Sequence, residues 1–238
     1  MKQKEILCDI LPEGKLPEDL SALSIDEVGD SHLFTSIETP MKEGAFEMDD
    51  QTKIKLIEEK FAEIMDILGL DLSDDSLRGT PGRVAKMYVK EIFRGLNPEN
   101  APKIALFKNK YRYNEMLVER DITLYSNCEH HFVPIVGKAH VAYISSGKVI
   151  GLSKINRIVE FFAKRPQVQE RLTVQIAAYL SEVLETPDVA VVVDARHLCV
   201  SSRGVEDTSS STLTASYLGK FREKETKDEF LRHIYQKA

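Results

Sequence analysis

Two short clusters far apart in the chain, Cys128-Glu129-His130-His131 and His197-Leu198-Cys199, constrain its fold more than any other feature. Together they hold two of the three cysteines and three of the six histidines. Thiolate sulfur and imidazole nitrogen are donors that suit zinc, which takes them in a tetrahedral shell. Cys128 and His131, with two residues between them, can close on one ion from a single turn. On a strand, His197 and Cys199 would share a face, because side chains alternate with period two. A chain that uses both clusters must fold so that the two segments meet.

Other readings of these residues stay open at this level. Buried core cysteines are common. A closed structural zinc normally presents CxxC pairs, and neither half here is CxxC. A Cys–His nucleophile would need only Cys128 and would leave the second cluster idle. Three ligands such as Cys128, His131 and Cys199 would leave a fourth position for water, whose pKa zinc lowers to about 7. His130 and His197 would then stand nearby as proton carriers.

At 238 residues the chain can bury a sizeable core. Hydrophobic residues make up 42% and charged residues 29%, as in an ordinary soluble protein. No run is long and apolar enough for a membrane helix, and MKQKEILCDI lacks the apolar stretch of a signal peptide. So few cysteines, two of them in a metal-like cluster, argue for a reducing cytoplasm. The net charge of −6 argues against bulk binding to nucleic acid. That charge is uneven: residues 1–50 carry 13 acids and 4 bases, and the remainder is mildly basic at +3.

Three regions follow. Residues 1–50, with Pro12, Pro17 and Pro40 and no sustained period, read as an acidic, largely irregular extension. Residues 51–110 read as helical. Ile54, Ile57, Phe61, Ile64, Met65 and Leu68 form one stripe ended by Gly69, and Thr80-Pro81 opens a second helix ended by Gly95. Residues 111–238 switch to strands over 115–125 and 133–144, with the CEHH cluster at their junction. A helix capped by Ser153 comes next, then another beginning at Pro166, with Leu172, Ile176, Leu180 and Val183 inward. The run 188–200 is β-rich and carries the HLC cluster; 208–217 is a fourth strand, and 220–237 a charged helix. Strands on both sides of a helix pair give an α+β class.

Ser153-Lys154-Ile155-Asn156-Arg157 places a helix start, a Lys and an Arg within one turn, a favourable setting for an anion, and Arg203 could add a second guanidinium. Gln169-Glu170 lies in the first turn of its helix. There Glu170 either complements the dipole or accepts paired N–H donors from a purine edge.

The runs SNCEHHFVPIVGKAHVAYI, VIGLSKINRIVEFFAKRPQVQERLTVQIA and HLCVSSRGVEDTSSSTLT, with SLRGTPGRVAKMYVKEIFRGL upstream, closely resemble GTP cyclohydrolase I over roughly residues 52–235. The resemblance implies the tunnelling fold, a four-stranded antiparallel sheet with two helices on one face, preceded by an N-terminal helical region. It implies a homo-oligomer, two stacked pentamers with sites at subunit interfaces. It also implies conversion of GTP and water to 7,8-dihydroneopterin triphosphate and formate. Carried over residue by residue, Cys128, His131 and Cys199 match the zinc ligands. His130 and His197 match the proton-handling histidines. Glu170 with Gln169 matches the guanine anchor, and Ser153 the residue beside the ribose. Lys154, Arg157 and Arg203 match the triphosphate binders, with Arg83 added from another subunit.

A zinc nucleobase deaminase would show HxE followed by PCxxC, and neither occurs. A non-enzymatic zinc-stapled interaction protein predicts that chelation unfolds the domain. Because every motif lies downstream of Thr52, deleting residues 1–50 is expected to leave zinc content, assembly and basal turnover intact. Metal analysis and size-exclusion chromatography check this, and loss of either property would make the segment structural.

Overall fold

The computed structural model describes residues 36–235, so most of the acidic extension lies outside the described residues. The elements below all belong to one unit spanning residues 41–238. Helix α1 (Asp50–Ile67) starts where the sequence supplies a cap: the Asp49 carboxylate accepts from the backbone N–H of Gln51 and Thr52 at 2.9 and 3.0 Å. It stops at Gly69, whose φ of +80° suits a residue without Cβ. The helix thus begins two residues before Thr52, and Lys90 pairs with Asp50 at 2.5 Å. A cut after residue 50 therefore removes a cap and an ion pair; a cut after residue 48 spares both.

Helix α2 (Thr80–Met87) is capped by Gly79, so Thr80 is its first residue rather than its cap. It does not run on to Gly95. The chain widens into a π turn at Tyr88–Ile92 and a 3-10 turn at Arg94–Leu96. Gly95 has another role: a Cβ there would stand 2.1 Å from the carbonyl oxygen of Phe161, so only glycine permits this approach.

Strands β1 (Leu106–Lys108) and β4 (Lys148–Ile150) form a separate two-stranded ribbon. The main sheet holds β2 (Met116–Cys128), β3 (Pro134–Ile144), β6 (Val189–His197) and β7 (Thr212–Tyr217), antiparallel throughout. A fifth, two-residue strand, β5 (Pro166–Gln167), adds to the edge of β2 in parallel at Asn127 and Cys128 only. The expectation of four strands therefore holds for the antiparallel ladder and misses this short one. Helices α3 (Leu152–Ala163) and α4 (Gln169–Leu184) cover one face, burying Ile155, Ile158, Leu172, Ile176 and Leu180 completely. Along β6, Val189, Val191 and Val193 meet that layer. Ala190 and Val192 point the other way, onto Phe221 and onto Phe230 of the C-terminal helix α5 (Lys224–Tyr235). Burial on both faces explains the unbroken VAVVV run.

Several boundaries differ from expectation. The cap of α3 is Gly151, and Ser153 lies inside its first turn, exposed. The next helix starts at Gln169, because Pro166 and Gln167 are drawn into the sheet edge. Val183 is only half-buried. β6 ends at His197, and Leu198–Ser201 forms a helical turn, so His197 and Cys199 do not share a strand face.

β2 carries a bulge between Glu119 and Ile122, where Asp121 sits at φ 59°. The buried ring of His140 on β3 accepts the Asp121 N–H at 3.1 Å through Nδ1, supplying the partner that the bulge takes from the ladder. Burial pushes the His140 pKa below its ordinary value, against the pull of Asp121 and Asp194. The folded chain therefore keeps this ring neutral at a pH where the unfolded chain protonates it. Its contribution to stability is full above about 6.5, the ordinary His value, and declines as pH falls from there towards the lowered folded-state pKa. Replacing His140 with Gln should remove this component of acid sensitivity, read as the change in urea midpoint between pH 7.5 and 5.5. An identical pH slope in the variant would contradict the assignment.

Candidate active site

The sheet register brings the two clusters together. The β2–β3 hairpin pairs Asn127 with Pro134, and β3 then pairs Ile135 with His197. The end of β2 and the end of β6 thus meet at the start of β3. A tight turn holds the first cluster: the Cys128 N–H donates to the Val133 carbonyl at 2.8 Å, and the Phe132 N–H to the Cys128 carbonyl at 2.9 Å. Phe132 is left-handed at φ 55°, which closes the loop.

Cys128 is buried, His131 exposed and Cys199 half-buried, and one ligand atom from each lies within 4.8 Å of the others. Cys128 Sγ stands 3.8 Å from His131 Nδ1. Zinc bonds of about 2.3 Å to sulfur and 2.0–2.1 Å to nitrogen in a tetrahedron set ligand separations of roughly 3.3–3.8 Å, so the donor set fits that ion. Burial and the facing Cys128 thiol push the Cys199 thiol above its ordinary pKa, the situation a cation between two sulfurs would relieve.

His130 Nδ1 lies 3.8 Å from Cys128 Sγ. His197 is fixed by Gln169, which is only 1% exposed. The Gln169 amide nitrogen faces the Val193 and Thr212 carbonyls at 3.1 and 2.8 Å, so its oxygen must be the end that meets His197 Nε2, at 2.7 Å. An amide oxygen only accepts, so Nε2 carries the proton and Nδ1 keeps a lone pair. Burial lowers the His197 pKa and the nearby Glu170 charge opposes this. Gln169 is thus placed to orient His197, with both ends of its amide engaged inside the protein. Glu170, next along the same turn, is exposed.

Arg203 joins the cluster, its guanidinium donating to His131 Nε2 at 2.8 Å. Ser153, Lys154 and Arg157 are not brought to it by any contact among the described residues. Arg157 instead lines a cleft of about 440 Å³ with Arg120, Asp121 and Lys164, beside β2. Arg83 holds the Ser76 carbonyl and the Thr80 hydroxyl at 3.2 and 3.3 Å. Sequence reasoning missed Arg171, an almost fully buried cation paired with Glu129 of the CEHH turn. A charged residue flanked by Gln167 and Gln175 at i−4 and i+4 was the available signal.

Fold and site define a class: an α+β protein with a Cys-His-Cys cluster, two more histidines and an arginine gathered at one end of its sheet. The profile of GTP cyclohydrolase I matches residues 57–235, three-quarters of the chain. GTP cyclohydrolase 1 of Flavobacterium johnsoniae is 59% identical over 210 residues, covering 88% of this chain and 94% of that protein. The Citrobacter koseri and Salmonella choleraesuis proteins of the same name are 56% and 55% identical, covering 83% and 87% of this chain and 90% and 94% of theirs. The chain belongs to the GTP cyclohydrolase I family and is an enzyme of that class. Among the described residues no helix is long and apolar enough to cross a membrane.

Replacing either Cys128 or Cys199 with Ser should abolish zinc binding while leaving secondary structure in place, because each substitution removes a soft anionic donor from a three-ligand set. Metal analysis and circular dichroism read the two properties separately. Stoichiometric zinc in both variants would refute the ligand set.

Proposed function

We propose that this chain uses zinc to convert GTP and water to 7,8-dihydroneopterin triphosphate and formate, the first step towards tetrahydrofolate and related pterins. The observation that carries the proposal is the Cys128, His131 and Cys199 cluster, with His130 and His197 beside it, in a chain of this family. Zinc held there would supply Lewis acidity and a water made acidic enough to ionise near neutral pH.

The chain's own residues do the rest. His197, with its Nδ1 lone pair available, takes up and returns protons as purine C8 is hydrated and the ring opens, and His130 shares that task. Glu170 accepts the paired N–H donors of the guanine edge, and Gln169 keeps His197 aligned. A metal on His131 Nδ1 would leave the proton on Nε2, turn that atom from acceptor to donor, and release Arg203 for the triphosphate. Lys154 and Arg157 bind the same phosphates, Arg83 assists, and Ser153 acts beside the ribose.

No contact among the described residues brings these last four to the cluster, which supports sites completed by a neighbouring subunit. Over most of its length β2 has no partner on its outer edge among the described residues, and β7 has none on its own. Such edges invite a strand from another copy. They support sheets that join between subunits; the family resemblance extends this to a tunnelling fold of pentamers, two of which stack as a decamer, with helices over 51–110 preceding a catalytic domain over 111–238. The enzyme works in the cytoplasm.

Purified protein incubated with GTP under reducing, zinc-replete conditions should release formate and, after oxidation, fluorescent neopterin. Absence of both ends the proposal. Glu170→Gln should lower kcat/KM for GTP about tenfold or more, since hydrogen bonds to charged groups contribute about 1.5–3 kcal/mol. Unchanged kinetics would return Glu170 to a helix-dipole role.

A further inference from the structure

From the buried network behind the CEHH turn, we infer that Glu129 and Arg171 are positioning residues that hold the metal-binding turn in register with helix α4. The inference rests on reading the cluster as a zinc site. Glu129 lies between Cys128 and His130 and is part of no ligand or proton-transfer role. Its side chain is 19% exposed and pairs with Arg171, whose own side chain is 3% exposed. The other Glu129 oxygen, Oε1, stands 3.6 Å from His130 Nε2.

Arg171 is itself fixed. Its Nε donates to Gln167 Oε1 at 3.0 Å, and Gln167 Nε2 donates to the Phe162 carbonyl at 3.0 Å and to Gln175 Oε1 at 2.9 Å. The Glu129 N–H donates to the Gln167 carbonyl at 3.1 Å, so the side chain of the turn is tied to Arg171 and its backbone to Gln167, two residues that bond each other. The network therefore links the end of α3, strand β5 and the first turns of α4 to the loop that carries Cys128, His130 and His131. Gln169 and Glu170 sit on that same turn of α4, immediately before Arg171.

A buried ion pair is a poor source of net stability, because two desolvated charges offset most of their attraction. Its effect here is geometric. The paired charges allow one arrangement of the turn, and one spacing between the metal ligands and the residues of α4 that face substrate. Partners behind metal ligands typically change metal affinity about 10–100-fold when removed.

The test uses full-length protein, with zinc affinity measured by chelator competition, GTP turnover and thermal unfolding. Glu129→Gln removes the carboxylate charge that faces the buried Arg171 guanidinium and should lower both the thermal midpoint and the zinc affinity. The double variant Glu129→Gln/Arg171→Met removes both charges and should recover the midpoint. Positioning predicts that the double variant still binds zinc about 10–100-fold more weakly. When saturated with zinc, it should show a lower kcat with little change in KM for GTP. Recovery of affinity and kcat together with the midpoint would make the pair merely structural and overturn the inference, as would a single variant that loses neither property. Wild-type protein without zinc would end both this inference and the zinc-hydrolase reading; zinc-loaded wild type beside indifferent variants ends only this one.

Discussion

The pairing of β3 with β6, with Ile135 opposite His197, is the constraint on which the site depends. The β2–β3 hairpin sets where Cys128 ends, and this register sets where His197 ends. A slip of one residue would turn the β6 side chains to opposite faces, moving Val189, Val191 and Val193 from the helix layer to the C-terminal helix. It would also carry Cys199 away from Cys128. The hydrophobic pattern that fills the core thus also locates the candidate metal ligands. Gly137, paired with Ala195 in the same ladder, has no room for a Cβ, which would stand 2.1 Å from the Asp194 carbonyl oxygen.

Polar groups behind the site are arranged so that each has one chemical role left. Gln169 uses its amide nitrogen on the sheet and its oxygen on His197, which leaves His197 with a defined protonated nitrogen. Thr173 returns to the Gln169 carbonyl at 2.8 Å and meets the Thr214 hydroxyl at 2.6 Å, fixing the helix turn that carries Gln169 against β7. Burial disfavours a charged His197, so a neutral ring with its orientation already set is the favoured form.

Much of this was legible in the sequence. Helices α1 and α4, the strands around CEHH and the β-rich run after Asp188 follow from period, and the candidate metal donors from clustering, although Ile64 and Leu68 of the expected α1 stripe are exposed. What period could not reveal was local competition. Leu198–Ser201 leaves the strand for a helical turn, so Cys199 reaches the cluster by a route that alternation did not anticipate. Gly151 took the cap expected of Ser153, and Pro166 joined the sheet edge instead of opening a helix. Long-range partners such as Glu129 with Arg171 or Gln169 with His197 depend on the register between distant elements. A single sequence carries only the residue types, and neither pair belonged to a spacing pattern. The local partners of Arg83, and the cleft beside β2 that Arg157 lines, likewise become visible only once the chain is folded.

The central claim is that both clusters close on one zinc ion with a position open to water, and X-ray absorption at the zinc edge tests it most directly. The account predicts one zinc per chain with two sulfur ligands at about 2.3 Å and nitrogen or oxygen ligands at about 2.0–2.1 Å. One of the latter should change when GTP is added. A shell of four protein ligands indifferent to GTP, or a shell with fewer than two sulfurs, would contradict it.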